Sequence, residues 1–197
     1  GMTLEGLENA LKQKPKLVYA IPNFDNPRGT TISLERRNKL VELAQKYNVP
    51  IYEDDPYGEI RFETDKIPSL YELAPEVVIY GGTFSKMVVP GFRLGWIIAP
   101  TQVLQVAARA KQATDLHTAT FTQMIAHDIA QGDFMEQQIQ RVRAYYHKQR
   151  DLMLSNIEKY FPEDVHFTRP KGGMFLWVTL PKDKDALPLL EQAVKRG

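Results

Sequence analysis

The sequence predicts an α/β protein: a mainly parallel sheet covered on both faces, in three αβα layers, followed by part of a smaller α+β domain. Three observations predict it. Short, almost continuously apolar runs at 16–21, 49–53 and 77–82 read as buried strands, with a helix-period segment between the first two. Polar, chemistry-bearing residues follow each run, at the strand ends where open α/β sheets bind ligands. Beyond residue 100 the pattern turns mainly helical.

In chain order, Thr3 caps a helix running to about Lys12, with Leu4, Leu7 and Leu11 on one face. Residues 16–21 (KLVYAI) form the first strand, and 22–31 (PNFDNPRGTT) a loop dense in Asn, Asp, Pro and Gly. Ser33 caps a helix from Leu34 to Tyr47, striped by Leu40, Leu43, Ala44 and Tyr47, and Asn48 stops it. The strand at 49–53 leads into Asp54-Asp55-Pro56-Tyr57, and an irregular stretch precedes the strand at 77–82. The run from Leu94 to Ala99 follows too soon for a crossover, so it should pair antiparallel. Helices are expected at 102–114 and 118–130, with a break at Gly132-Asp133. A helix from 134 to 160 would span roughly 40 Å, enough to pass from one domain to another. Val142, Tyr145, Tyr146, Leu152 and Ile157 are expected in its core face. Two strands between Val165 and Leu180 flank Pro170-Lys171-Gly172-Gly173 as a hairpin, and a last helix starts near Pro188. The domain boundary falls near Gly132, giving parts 1–132 and 133–197.

The totals narrow the function. At 197 residues the chain makes one large domain or two small ones, and a 43% hydrophobic content supports a sizeable core. Lys plus Arg number 25 against 24 Asp plus Glu, a net +1 that argues against a dedicated nucleic-acid or anionic-membrane surface. Without cysteine there are no disulfides or thiolate zinc sites, and His117, His127, His147 and His166 are too dispersed for a helical metal motif, so no metal is expected. With no apolar run of membrane length and no leader signal, the expectation is a cytoplasmic protein.

The chemistry concentrates around Val77 to Trp96 (VVIYGGTFSKMVVPGFRLGW). Gly81-Gly82 let backbone approach a ligand, and Thr83, Ser85 and Arg93 suit an anion. Lys86, held at a sheet edge, is a candidate Schiff-base former, because desolvation disfavours a charged amine. Asn26, Asp54 and Tyr57 arrive at the same edge from the two earlier strands. For a phosphorylated pyridine aldehyde every group has a use. Lys86 forms the imine and, once released, moves the substrate α-proton. Asp54 holds a proton on the ring nitrogen, making the ring an electron sink. Asn26 and Tyr57 bond the ring hydroxyl, while Thr83, Ser85 and Arg93 take the phosphate. Singly each has a plainer use: Asn26-Pro27 as a turn, Asp54 as a turn cap at Pro56, Tyr57 as packing, Arg93 as a surface ion-pair partner. Jointly, at one edge, those uses become improbable.

Four ordered motifs carry a family resemblance: Pro22-Asn23-Phe24-Asp25-Asn26-Pro27-Arg28-Gly29, Glu53-Asp54-Asp55-Pro56-Tyr57, Gly82-Thr83-Phe84-Ser85-Lys86 and Pro90-Gly91-Phe92-Arg93-Leu94-Gly95-Trp96. With Gly172-Gly173-Met174-Phe175-Leu176-Trp177 they make the chain resemble the fold-type I pyridoxal-phosphate enzymes, and among them the class I/II aminotransferases, over essentially its whole length. Arg28 stands where that family usually has threonine. The resemblance implies catalytic Lys86, Asp54 and Tyr57, and a pyridoxal 5'-phosphate site of Asn26, Asp54, Tyr57, Thr83, Ser85, Lys86 and Arg93. It implies amino-acid and 2-oxo-acid substrates and a homodimer. It also implies an internal piece cut at both ends, without the family's carboxylate-binding arginine, so that this chain alone should hold the cofactor poorly. Gly1-Met2 reads as a tag remnant with a start residue, or as native turn residues. Beside transamination stand an aminotransferase-like sensing domain of a transcription regulator, a pyridoxal-phosphate β-lyase, and a truncated product with a fold but no activity.

Overall fold

A computed structural model describes residues 3–196; Gly1 and Met2 lie outside the described residues. The elements are α1 (Leu4–Leu11), β1 (Val18–Ala20), α2 (Leu34–Tyr47), β2 (Ile51–Asp54), α3 (Leu70–Leu73), β3 (Val78–Thr83), β4 (Gly95–Ile98), α4 (Thr101–Asp115), α5 (Thr120–Ala130), α6 (Phe134–Tyr160), β5 (His166–Phe167), β6 (Val178–Thr179) and α7 (Ala186–Arg196). The main sheet has the order β1-β2-β3-β4. The first three strands are parallel, and β4 returns antiparallel to β3 with Thr83 opposite Gly95, as the short loop requires.

Local chemistry sets the helix ends. The Thr3 hydroxyl accepts the Gly6 amide at 3.1 Å, and the Ser33 side chain accepts from Arg36. Asn48 ends α2 in the left-handed region, φ 52°, which asparagine tolerates. The short helix α3 falls in the stretch expected to be irregular. Its capping box has a sequence signature: Ser69 accepts the Glu72 amide at 3.0 Å, and Glu72 accepts the Ser69 amide at 2.7 Å.

Leu7 and Leu11 of α1 and Leu40, Val41, Leu43 and Ala44 of α2 pack with Ala20, Ile51 and Val78 of the sheet into one core. Strand side chains alternate between faces, so Val18, Ile51 and Val78 pair in one register and the neighbouring residues point the other way. On that second face Tyr19 remains 55% exposed, and β4 is exposed along its length.

One expectation is corrected. Along α6, Ile157 and Leu154 are buried, but Tyr145 and Leu152 are 59% and 56% exposed. Spacing locates the helix without choosing which stripe packs. The expected hairpin forms, antiparallel at β5 and β6 with two residues each. Its middle docks on the first half: the Gly173 amide donates to Ile60 O at 2.7 Å, and the Phe62 amide to Lys171 O at 2.8 Å. Gly172 lies so close to Phe24 and Ile60 O that a Cβ would collide with both.

Candidate active site

Because β1, β2 and β3 are parallel, their carboxyl ends open on one edge, and the loops 21–33, 55–60 and 84–94 gather there. The register sets Ala20 beside Glu53 and Asp54 beside Gly81. The Asp55 amide continues that pairing, donating to Gly81 O at 3.0 Å.

Asp54, on the open face, accepts a 2.5 Å hydrogen bond at Oδ2 from the Tyr19 hydroxyl. Tyr57 is buried, with Phe175 edge-on to its ring at 5.4 Å. Burial raises the Tyr57 phenol above its usual value, and the Asn26 side chain, within hydrogen-bonding reach, pulls it back. Asn26 itself is exposed. The turn at Pro56 is capped by Asp55 rather than Asp54: Asp55 Oδ1 accepts the Gly58 amide at 3.0 Å. Asp55 also accepts Asn23 Nδ2 at 2.9 Å and the Tyr80 hydroxyl at 2.9 Å. That frees Asp54 from local duty.

Behind these loops Arg37 is wholly buried, and carbonyl-type oxygens rather than a carboxylate surround its head. Its guanidinium donates to Ile32 O at 2.9 Å, Pro68 O at 2.9 Å, Pro22 O at 3.1 Å and Asn23 Oδ1. One side chain therefore ties the loop of Asn26, through Asn23 and Asp55, to the loop of Asp54 and Tyr57. Glu53 is also buried. Its oxygens accept the Leu70 and Tyr71 amides at 3.0 and 2.8 Å, yet burial outweighs them and pushes its carboxyl up to about 7.

In the lysine loop, Thr83 Oγ1 lies 3.0 Å from Ser85 Oγ and 3.2 Å from Leu94 O, and accepts the Ser85 amide at 3.1 Å. Lys86 follows, partly buried, in a turn closed by the Val88 amide on Phe84 O at 2.9 Å. Arg93 is exposed, in the left-handed region at φ 51°, and its Nη1 donates to Pro90 O at 3.3 Å. The fold thus brings Asn26 to Tyr57 and Thr83 to Ser85, while the Arg93 side chain turns back on its own loop. Gly81 and Gly82 are explained by internal packing rather than ligand approach: a Cβ on Gly81 would strike the Tyr52 hydroxyl, and one on Gly82 the Trp96 ring.

Sequence reasoning does not single out Tyr19, Arg37, Asn23 or Asp55 as members of this cluster. For Tyr19 a signal exists in the strand alternation. Tyr19 pairs with Tyr52, so Asp54, two residues on, shares its face. The donor set fits a phosphorylated pyridine aldehyde: a carboxylate for a ring N–H, an amide and a phenol for a ring oxygen, two hydroxyls and a guanidinium for a phosphate, and an amine for the aldehyde.

The family model for class I and II aminotransferases matches residues 1–195. The aromatic-amino-acid aminotransferase 1 of Thermococcus litoralis is 42% identical over 100% of this chain and 49% of its own length. Among solved structures, the kynurenine aminotransferase of Pyrococcus horikoshii, in complex with PMP, superposes with a TM-score of 0.95 at 43% identity, covering 100% of this chain and 50% of its own. The α-aminoadipate aminotransferase of Thermus thermophilus, complexed with N-(5'-phosphopyridoxyl)-L-leucine, gives 0.92 at 38% identity, covering 98% and 50%. The chain spans about half the length of the relatives it matches.

Proposed function

Because the chain belongs to the class I and II aminotransferase family, we propose that the protein carrying it moves an amino group between an α-amino acid and a 2-oxo acid with pyridoxal phosphate. The observation that carries this reading is the shared strand edge. Asp54 stands in register with Gly81, Asn26 reaches Tyr57, and Thr83, Ser85 and Lys86 leave the same edge on β3.

The cofactor supplies an aldehyde that captures amines and a ring that accepts the electron pair left when an α-proton departs. Lys86 is the amine we assign to that aldehyde and, once free, the base at the substrate Cα. Asp54 would pair with a ring N–H through the oxygen that Tyr19 leaves open. Tyr57, packed edge-on against Phe175 and with the Asn26 side chain nearby, would bond the ring hydroxyl. Thr83 and Ser85, already paired, present hydroxyls to the phosphate, and Arg93 would have to swing from Pro90 to reach it. We also propose a division near Gly132, where φ is 66° just before α6, and a cytoplasmic homodimer. Exposed apolar residues on α4 and α5, Phe121 and Val106 among them, support association.

Borohydride reduction of the protein with bound pyridoxal phosphate, followed by peptide mass spectrometry, should find the cofactor on Lys86. A modified peptide elsewhere, or none, overturns the assignment.

A further inference from the structure

We infer that Tyr19 is the positioning residue for Asp54: its hydroxyl holds Oδ2, so that Oδ1 is the oxygen offered to a cofactor ring nitrogen. This rests on the reading of Asp54 as the ring partner. Three observations carry it. The Tyr19 hydroxyl donates to Asp54 Oδ2 at 2.5 Å, a short charge-assisted bond. The reach is built into the sheet, because Tyr19 pairs directly with Tyr52 and Asp54 lies two residues further along the same face, a diagonal of roughly 8 Å that a tyrosine spans. The ring has a base to rest on as well. Tyr19 stacks on Tyr52 with centroids 5.9 Å apart and planes at 16°. Tyr52 is in turn seated over Gly81, where a Cβ would strike its hydroxyl. A stack braced against the strand beside Asp54 thus ends in one hydroxyl aimed at one carboxylate oxygen.

Tyr19 has little structural duty to confuse this. Its ring is more than half exposed, and its hydroxyl is engaged with Asp54. Burial and then the Asp54 bond both hold the phenol above its usual value, so it stays a donor across the working pH range. Without the hydroxyl, the Asp54 side chain is free to turn about its last torsion, and a cofactor ring would have to order it on binding.

The test is a double-mutant cycle on the cofactor-competent protein, read as the dissociation constant for pyridoxal phosphate by fluorescence titration, with melting temperature followed in parallel. Tyr19→Phe removes one oxygen and keeps the stack. It should weaken binding roughly tenfold at an unchanged melting temperature. Asp54→Asn should weaken binding more, and adding Tyr19→Phe to it should cost nothing further. Equal losses from Tyr19→Phe in both backgrounds would make Tyr19 a general packing residue and overturn the proposal. So would no loss from Tyr19→Phe beside a large one from Asp54→Asn, and the Asp54 reading would then stand alone. Unchanged binding in Asp54→Asn would remove the ring-partner reading, and Tyr19's role with it.

Discussion

The chain up to Thr83 and the chain beyond it handle burial in different ways. In the first region α1 and α2 close over β1–β3, and the buried charges are met: Arg37 by four carbonyl-type acceptors, Glu53 by two amides. In the second, α4 and α7 have no buried residue and β4 is exposed throughout. That region is held to the first mostly by polar straps. Arg143 donates to Glu59 O at 2.6 Å, Arg150 to Glu63 Oε1 at 2.6 Å, and Phe62 stacks on His147 with centroids 5.2 Å apart. The difference bears on the site. Asn26, Asp54 and Tyr57 stand on loops locked from behind by Arg37, Asn23 and Asp55. Lys86 and Arg93 stand where the chain leaves that support. On the proposed assignment, the groups that would hold the cofactor ring are backed by packed loops, and those that would meet the aldehyde and phosphate have less behind them.

The comparison breaks most visibly at Arg37. Arg37→Met fills similar volume but leaves three backbone carbonyls and the Asn23 side chain without their donor. Each orphaned buried acceptor carries a desolvation penalty, and we expect about 4–5 kcal/mol lost in urea unfolding, the largest single effect in the molecule. A loss under about 1 kcal/mol would show that the loops 21–33 and 55–60 are held by their own turns. Next comes packing. Leu11→Ala, at a fully buried position facing α2, should cost about 3–4 kcal/mol by the same measurement.

How much of this is legible in the sequence depends on whether a feature is local. Apolar runs locate β1 to β4, and the short loop before β4 predicts its direction. The end of α2 at Asn48 and the whole of α6 match the periodicity. The strand-end groups can be placed on one edge because parallel strands send their carboxyl ends the same way. What lies beyond local reading depends on partners distant in the chain. Tyr19 and Asp54 are 35 residues apart, Arg37 and Pro68 31, and Arg143 and Glu59 84. The exposed stripe of α6 escapes the sequence for the same reason: a helix's spacing shows that it has an apolar face, not what that face meets.

A pH dependence sharpens the contrast within the first region. Glu53 sits at about 7 against an ordinary 4.5, so its folded value is raised. Its contribution to stability is therefore complete below about 4.5 and fades as pH climbs through about 7. Measured against Glu53→Gln, which does not titrate, the wild type should lose about 3 kcal/mol of relative stability across that window. A flat difference would mean that the Leu70 and Tyr71 amides fully offset the burial.

The smallest expected effect is the most direct test of the second region. Leu152, on the exposed stripe of α6, lies on the same helix as Ile157, which is buried at 4% exposure. If the stripe faces water, Leu152→Ala removes no packed contact and should change stability by less than about 0.5 kcal/mol. Ile157→Ala on the same helix should cost several times more. Equal, large losses at both positions would mean that the Leu152 stripe is covered in solution, and the contrast between a packed first region and an open second one would then fail on this helix.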